Sequence, residues 1–232
     1  RVALDLPLSR LFDYRIDGLG PAAVGLRIRV PFGRGEKIGI IVDLPSQSEL
    51  APKQLKPALE ILRDTPPLPA DFFRLCAFAS SYYQAPLGEV LLQALPPGLK
   101  KTRASQRRAG KAMAITVPAA APLPELTAEQ AQAVAAMAAS QGYAPFLLHG
   151  VTGSGKTEVY LRLIAATLAR GRQALLLVPE INLTPQLEAR IRQRFPDVRT
   201  AILHSELAEA AREREWKAAF LGEARIVVGT RL

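Results

Sequence analysis

The sequence predicts an α/β chain in two parts, a small mostly-β module followed by a parallel, doubly wound α/β lobe. Three observations predict it. Apolar and polar residues alternate with period 2 through residues 1–63. Helix-period and strand-length runs take turns from Leu126 onward. Residues 150–157 read Gly-Val-Thr-Gly-Ser-Gly-Lys-Thr, between an apolar run and an amphipathic helix.

In the first module Val2, Leu4 and Leu6 alternate, as do Phe12, Tyr14 and Ile16, and Leu26, Ile28 and Val30 alternate against Arg27 and Arg29. These read as strands with one wet face, punctuated by Gly18, Gly20, Pro21, Gly25, Gly33 and Gly35. Residues 38–42 add a strand of a small antiparallel sheet or barrel. Helical spacing takes over from Asp71 through Phe72, Leu75, Phe78, Ala79 and Tyr82, with Cys76 a core residue among them. The first domain is predicted over residues 1–99 and a linker over 100–125. Linker texture sets in a little earlier, over residues 96–125: Pro96, Pro97 and Gly98 begin it, and Pro118, Pro122 and Pro124 close it. Its basic cluster, Lys100, Lys101, Arg103, Arg107, Arg108 and Lys111, is either a solvated tether or a phosphate-contacting strip.

The second domain is predicted over residues 126–232. Thr127 and Gln130 carry the signature of a capping box that opens an alanine-rich helix. Residues 146–149 read as a strand running into the glycine-rich loop, and Val159, Tyr160, Leu163, Ile164 and Leu168 recur at helical spacing until Gly171 stops that helix. Residues 174–178 are apolar at every position, as expected of a parallel strand buried on both faces. A helix over 185–195, a strand at 201–203, a helix near 208–221 and a strand at 225–228 complete the alternation.

Composition bounds the function. With 49% hydrophobic and 22% charged residues the chain is globular rather than disordered. The formal net charge is +9, and residues 1–111 hold 17 of the 30 Lys and Arg against 10 of the 21 Asp and Glu. That excess suits a polyanion such as nucleic acid, with a solvated basic face as the alternative. The single cysteine, Cys76, excludes an internal disulfide or a cysteine-rich zinc site within this chain. No apolar run approaches the ~18 residues of a membrane span, and no charged-then-apolar leader opens the chain. A reduced, cytoplasmic compartment is expected. The chain starts without Met and stops after an apolar run, so it reads as an excerpt of something longer.

Gly-x-x-x-x-Gly-Lys-Thr is a phosphate-binding loop. Glycines such as Gly153 and Gly155 let successive N–H groups turn inward toward phosphate oxygens. Lys156 would reach the β and γ phosphates, and the Thr157 hydroxyl would ligate Mg²⁺. Both come from the first turn of a helix, whose N-terminus favours an anion. A nucleoside triphosphate with Mg²⁺ is the expected ligand, with Lys156 and Thr157 as the catalytic pair. The expected binding set is Gly150, Val151, Thr152, Gly153, Ser154, Gly155, Lys156, Thr157 and Glu158, joined by Gln130. The Gln130 amide matches the N6 and N7 edge of adenine, while a capping residue would occupy the same place. His149 and His204 have no carboxylate or cysteine at ligand spacing and are expected to be structural.

Four strings stand in a fixed order: Leu126-Thr127 with Glu129-Gln130; residues 150–157; Leu177-Val178-Pro179-Glu180 with Leu183-Thr184-Pro185-Gln186; and Val228-Gly229-Thr230-Arg231. In this order the chain resembles the superfamily 2 helicases. With Leu203-His204-Ser205, the early Phe12-Asp13-Tyr14 and Arg29-Val30-Pro31-Phe32-Gly33, it is similar to the primosomal protein N′ (PriA) family of bacterial replication-restart helicases. The similarity spans nearly the whole chain, excepting roughly residues 100–125.

The resemblance implies an ATP-dependent DNA helicase moving 3′ to 5′ on single-stranded DNA, whose first, RecA-like lobe is interrupted here before its Asp-Glu-x-His motif. It implies a front domain that recognises the nascent 3′ end of a stalled or repaired fork for primosome assembly. Asp13 would accept a hydrogen bond from the 3′ hydroxyl, Gly33 would let the terminal base approach, and Lys56 would face the phosphate. Thr184, Gln186, Thr230 and Arg231 would contact the tracking strand, with Thr184 also capping its helix and Glu180 ordering the string. The family's second motor lobe, zinc-binding cysteines and winged-helix domain have no match in this sequence. Zinc is therefore expected only outside it, and these residues alone are expected to hydrolyse ATP negligibly. Implied partners are branched and single-stranded DNA with a 3′ end, single-stranded DNA-binding protein and other primosome proteins, in the nucleoid-associated cytoplasm and away from membranes. The rival readings are another superfamily 2 translocase and a non-catalytic DNA-end-binding module.

Overall fold

A computed structural model of the chain describes residues 1–101, 124–179 and 184–230, and the chain divides into two compact units. In the N-terminal unit four short strands form an antiparallel sheet in the order β1 (Val2–Leu4), β3 (Gly35–Ile41), β2 (Arg27–Phe32) and β4 (Glu60–Leu62). β2 turns into β3 through a two-residue hairpin in which Phe32 faces Gly35 and Gly33 takes φ 60°. The period-2 pattern does its expected work: Val2, Leu4, Ile28, Val30 and Ile41 share one core, with Phe12, Tyr14 and Phe32 packed against it. Each such side chain contributes roughly 1.5–3 kcal/mol on burial.

Two helices, α1 (Ala70–Tyr82) and α2 (Leu87–Gln93), follow the strands. α2 lies so close to β1 that a Cβ on Gly88 would overlap the Leu4 carbonyl oxygen, so glycine is what permits the contact. Cys76 is buried on α1, as expected, and burial pushes its thiol pKa up. Leu75, Phe78 and Tyr82 on the same helix are largely exposed.

Three expectations for this unit need correction. Among the described residues the stretch from Phe12 to Ile16 makes isolated bridges, Val2 with Phe12 and Arg15 with Pro57, in place of a ladder, because it pairs one residue at a time with two different segments. Arg27 does not face water: it is 4% exposed, with one guanidinium nitrogen on Leu99 O at 2.8 Å and another on the Asp64 carboxylate. Residues 96–99 belong to the packed unit rather than to a linker, since Leu95 and Leu99 are buried and Leu99 supplies that carbonyl. Arg103, Arg107, Arg108 and Lys111 lie outside the described residues.

The C-terminal unit holds a parallel sheet in the order β5 (Ala174–Val178), β7 (Ile226–Thr230), β6 (Thr200–Leu203). Its helices are α3 (Ala128–Ala139), α4 (Lys156–Ala169), α5 (Thr184–Arg194) and, from Arg214 onward, α6 (Glu209–Phe220). Leu161, Ile164, Ile191, Ile202, Ile226 and Val228 form the core between α4, α5 and the sheet. Gly171 ends α4 at φ 74°, its N–H on Leu168 O at 2.9 Å while Arg172 N–H returns to Thr167 O at 3.2 Å.

Two expectations differ here. Residues 146–149 form no ladder among the described residues, and Leu147 is 91% exposed. β5 is an edge strand with Leu175 and Leu177 exposed at 66% and 64%, not a strand buried on both faces. Only β7 pairs with it among the described residues, so one edge and the alternate side chains lack cover. No helix among the described residues is long and apolar enough to cross a membrane.

Candidate functional site

The glycine-rich loop has the backbone its sequence requires. Gly153 takes φ 84°, and Gly155 takes φ 78° and ψ 20° as the residue that caps α4. Ser154 N–H bonds Val151 O at 3.2 Å, and Glu158 N–H bonds Gly155 O at 2.9 Å, closing the turn into the helix. Lys156 and Thr157 are the first two residues of α4. The Lys156 ammonium folds back over the loop, donating to Gly150 O at 2.6 Å and Val151 O at 2.8 Å. These are neutral acceptors at an exposed site, and exchanging them for phosphate oxygens converts ordinary hydrogen bonds into charge-assisted ones. A swinging ammonium, a first-turn hydroxyl and left-handed glycines fit a Mg²⁺-bound triphosphate.

Gln130 forms both halves of the predicted capping box. Its amide oxygen accepts from Thr127 N at 3.0 Å, and its own N–H reaches Thr127 Oγ1 at 3.3 Å. The amide nitrogen then donates to Ser154 O at 3.0 Å, tying α3 to the phosphate loop. Adenine recognition would require this amide to leave those partners. Glu158, in the expected binding set, places its carboxylate on Arg162 at 2.8 Å and Arg194 at 2.9 Å and its N–H on Gly155 O. These contacts brace α4 against α5.

The N-terminal unit contains a cavity of about 660 Å³ lined by Arg10, Phe12, Asp13, Phe32, Gly33 and Lys56, among others. Asp13, Gly33 and Lys56, singled out in the sequence, arrive from three separate segments. A Cβ on Gly33 would meet nothing within 4 Å, so the positive φ, not crowding, demands glycine and leaves the space before it open. The Phe12 and Phe32 rings meet edge to face at 5.5 Å. The Arg10 guanidinium sits 5.1 Å over Phe12 and the Lys37 ammonium 5.9 Å over Phe32. Tyr14 donates to Pro31 O at 3.0 Å, and burial pushes its phenol pKa up. Asp13, with its side chain 18% exposed, receives a hydrogen bond from Ser48 Oγ, and Arg1 Nε lies 3.7 Å from its other oxygen. Aromatic walls, a carboxylate acceptor and cations can take a ring, a hydroxyl and a phosphate. Sequence reasoning missed Arg10 and Ser48. Arg10 precedes Phe12 at strand spacing, whereas Ser48, 35 positions from Asp13, carries no local signal.

The remaining predicted residues are only partly brought together. The parallel register aligns Val178 with Thr230 and Leu203 with Gly229, so these strand ends share one edge of the sheet. Gln186 is exposed in the first turn of α5. Thr230 is 7% exposed, and its hydroxyl is buried without a hydrogen-bond partner among the described residues. Glu180, the Thr184 side chain and Arg231 lie outside the described residues. His149 is exposed, and His204 Nδ1 is buried without a partner among the described residues. No group of three or more His, Cys, Asp and Glu among the described residues could hold a metal ion.

Comparison with known proteins separates the same two parts. A family model for the 3′ DNA-binding domain (3′BD) matches residues 1–96, and one for the DEAD/DEAH box helicase matches residues 127–231. Replication restart protein PriA of Haemophilus influenzae is 32% identical over 302 residues, covering 100% of this chain and 41% of that relative. The protein of the same name from Treponema pallidum is 36% identical over 239 residues, 99% of this chain and 35% of its own length. In Bacillus subtilis the identity is 51% over 86 residues, 37% of this chain and 11% of the relative. The chain thus spans 35% to 41% of the length of the first two relatives. With a 3′ DNA-binding domain ahead of a DEAD/DEAH box helicase domain, and relatives of one name along its whole length, the chain belongs to the PriA replication restart family.

Proposed function

We propose that this chain is the front of an ATP-driven DNA helicase that engages a replication fork through the 3′ end of a nascent strand and moves 3′ to 5′ on single-stranded DNA. The observation that carries the reading is the convergence of Asp13, Gly33 and Lys56 on one cavity, in a chain that also holds a phosphate loop. In the cavity Asp13 accepts the 3′ hydroxyl, the Phe12 and Phe32 walls take the terminal base over Gly33, and Lys56 meets a phosphate. In the helicase lobe Lys156 would leave the Gly150 and Val151 carbonyls for the β and γ phosphates, and the Thr157 hydroxyl would hold Mg²⁺, whose charge would offset that of the triphosphate. Thr184, Gln186 and Arg231 contact the tracking strand, together with the backbone at Thr230. The protein acts in the cytoplasm beside single-stranded DNA-binding protein and other primosome proteins.

The test compares forks ending in a 3′ hydroxyl and in a 3′ phosphate at fixed salt, with wild-type protein and Asp13→Ala. A hydrogen bond to a charged acceptor contributes about 1.5–3 kcal/mol, so a preference of roughly tenfold or more for the hydroxyl is expected in the wild type and none in the variant. Equal affinity of the wild type for both ends would overturn the reading.

A further inference from the structure

The Asp13 carboxylate is held from behind. Ser48 sits on the loop that follows β3, and its Oγ accepts the Leu50 N–H at 3.1 Å. With that lone pair occupied, its single proton is directed to Asp13 Oδ2. The result is a one-way chain, Leu50 N–H to Ser48 O–H to Asp13. Ser48 is not among the residues lining the 660 Å³ cavity; it lines another of about 400 Å³ that shares Asp13 and Tyr14 with it. Glu49 and Leu50, the next residues on the loop, do line the larger cavity. One short segment therefore both walls the cavity and clamps its carboxylate.

We propose that Ser48 is a positioning residue: by fixing the rotation of Asp13 it keeps the carboxylate's remaining lone pairs aimed into the cavity, and so sets the preference for a terminal hydroxyl over a terminal phosphate. The inference rests on the proposed contact between Asp13 and the 3′ hydroxyl. A carboxylate free to rotate still repels phosphate, but it no longer meets the hydroxyl in line, and hydrogen bonds weaken steeply as their angle closes.

The experiment uses the full-length protein as wild type, Ser48→Ala, Ser48→Thr and Asp13→Ala. Dissociation constants are measured for forks ending in a 3′ hydroxyl and a 3′ phosphate, and for circular single-stranded DNA, which has no end. Ser48→Ala is expected to reduce the hydroxyl-to-phosphate preference about fivefold, the equivalent of one net hydrogen bond, without changing affinity for the circle. Ser48→Thr, which keeps the hydroxyl, restores the preference. A wild-type preference in Ser48→Ala beside a lost preference in Asp13→Ala overturns the role of Ser48 and leaves the end-recognition reading standing. Retention of the preference in Asp13→Ala overturns both. Equal weakening of all three DNAs by Ser48→Ala, with no rescue by Thr, makes Ser48 a mere folding residue and also overturns the proposal.

Discussion

Gly155→Ala tests the coupling between the phosphate loop and the capping box. Gly155 stands at φ 78°, and a Cβ there would run into the Gln130 amide nitrogen while meeting no backbone. Two separable costs follow. A left-handed conformation costs a residue with a Cβ roughly 1–2 kcal/mol. Displacing the flexible Gln130 amide from Ser154 O and Thr127 N removes a further ~1 kcal/mol of net hydrogen bonding. The single substitution should therefore destabilise the C-terminal unit by about 2–3 kcal/mol. In a Gln130→Ala background the clash is gone, and the added cost should fall to about 1–2 kcal/mol, a coupling near 1 kcal/mol. The chain's one tryptophan, Trp216, stacks on Phe220 at 4.8 Å within α6 and provides a fluorescence signal for urea unfolding. An identical cost of Gly155→Ala in both backgrounds would refute the contact with Gln130, and no cost in either would refute the left-handed loop.

Other outcomes follow from the N-terminal unit. Burial raises the pKa of both the Cys76 thiol and the Tyr14 phenol above their usual values near 9 and 10, so each favours the folded state only while neutral. The native state retains these protons longer than the unfolded chain does. These two groups should thus add no pH dependence below about pH 8.5 and should make stability fall as pH rises past the unfolded thiol and phenol values. Urea unfolding by circular dichroism should show that decline, with Cys76→Ala and Tyr14→Phe each flattening it. Gly88→Ala forces α2 away from the Leu4 carbonyl and should cost about 3 kcal/mol. Faster hydrogen exchange at the β1–β3 ladder would register it, and unchanged exchange would contradict the close approach.

Much of this architecture is legible from spacing alone, and the failures have physical causes. The phosphate loop was readable because glycine, lysine and threonine each occupy a position that its backbone or chemistry demands, and the left-handed angles at Gly153 and Gly155 agree. The capping box was readable because both partners lie within one helical turn. Burial of β5 was misjudged because an all-apolar run states what the strand tolerates on each face, not which neighbours lie beside it. Arg27 was misjudged because alternation assigns a face and not what covers it; its cover, the turn at Leu99, is 72 positions away. Ser48 was invisible for the same reason, since its meaning comes only from the carboxylate it meets across the fold.

The central claim is that one chain carries two independent sites, a nucleotide loop worked by Lys156 and a DNA-end cavity worked by Asp13. Titration of the full-length protein with fluorescent ATP and Mg²⁺, alongside fork binding, tests it in Lys156→Ala. The account predicts saturable nucleotide binding in the wild type, its loss in the variant, and unchanged preference for the 3′-hydroxyl fork. Nucleotide binding that survives Lys156→Ala, or end preference that disappears with it, would contradict the account.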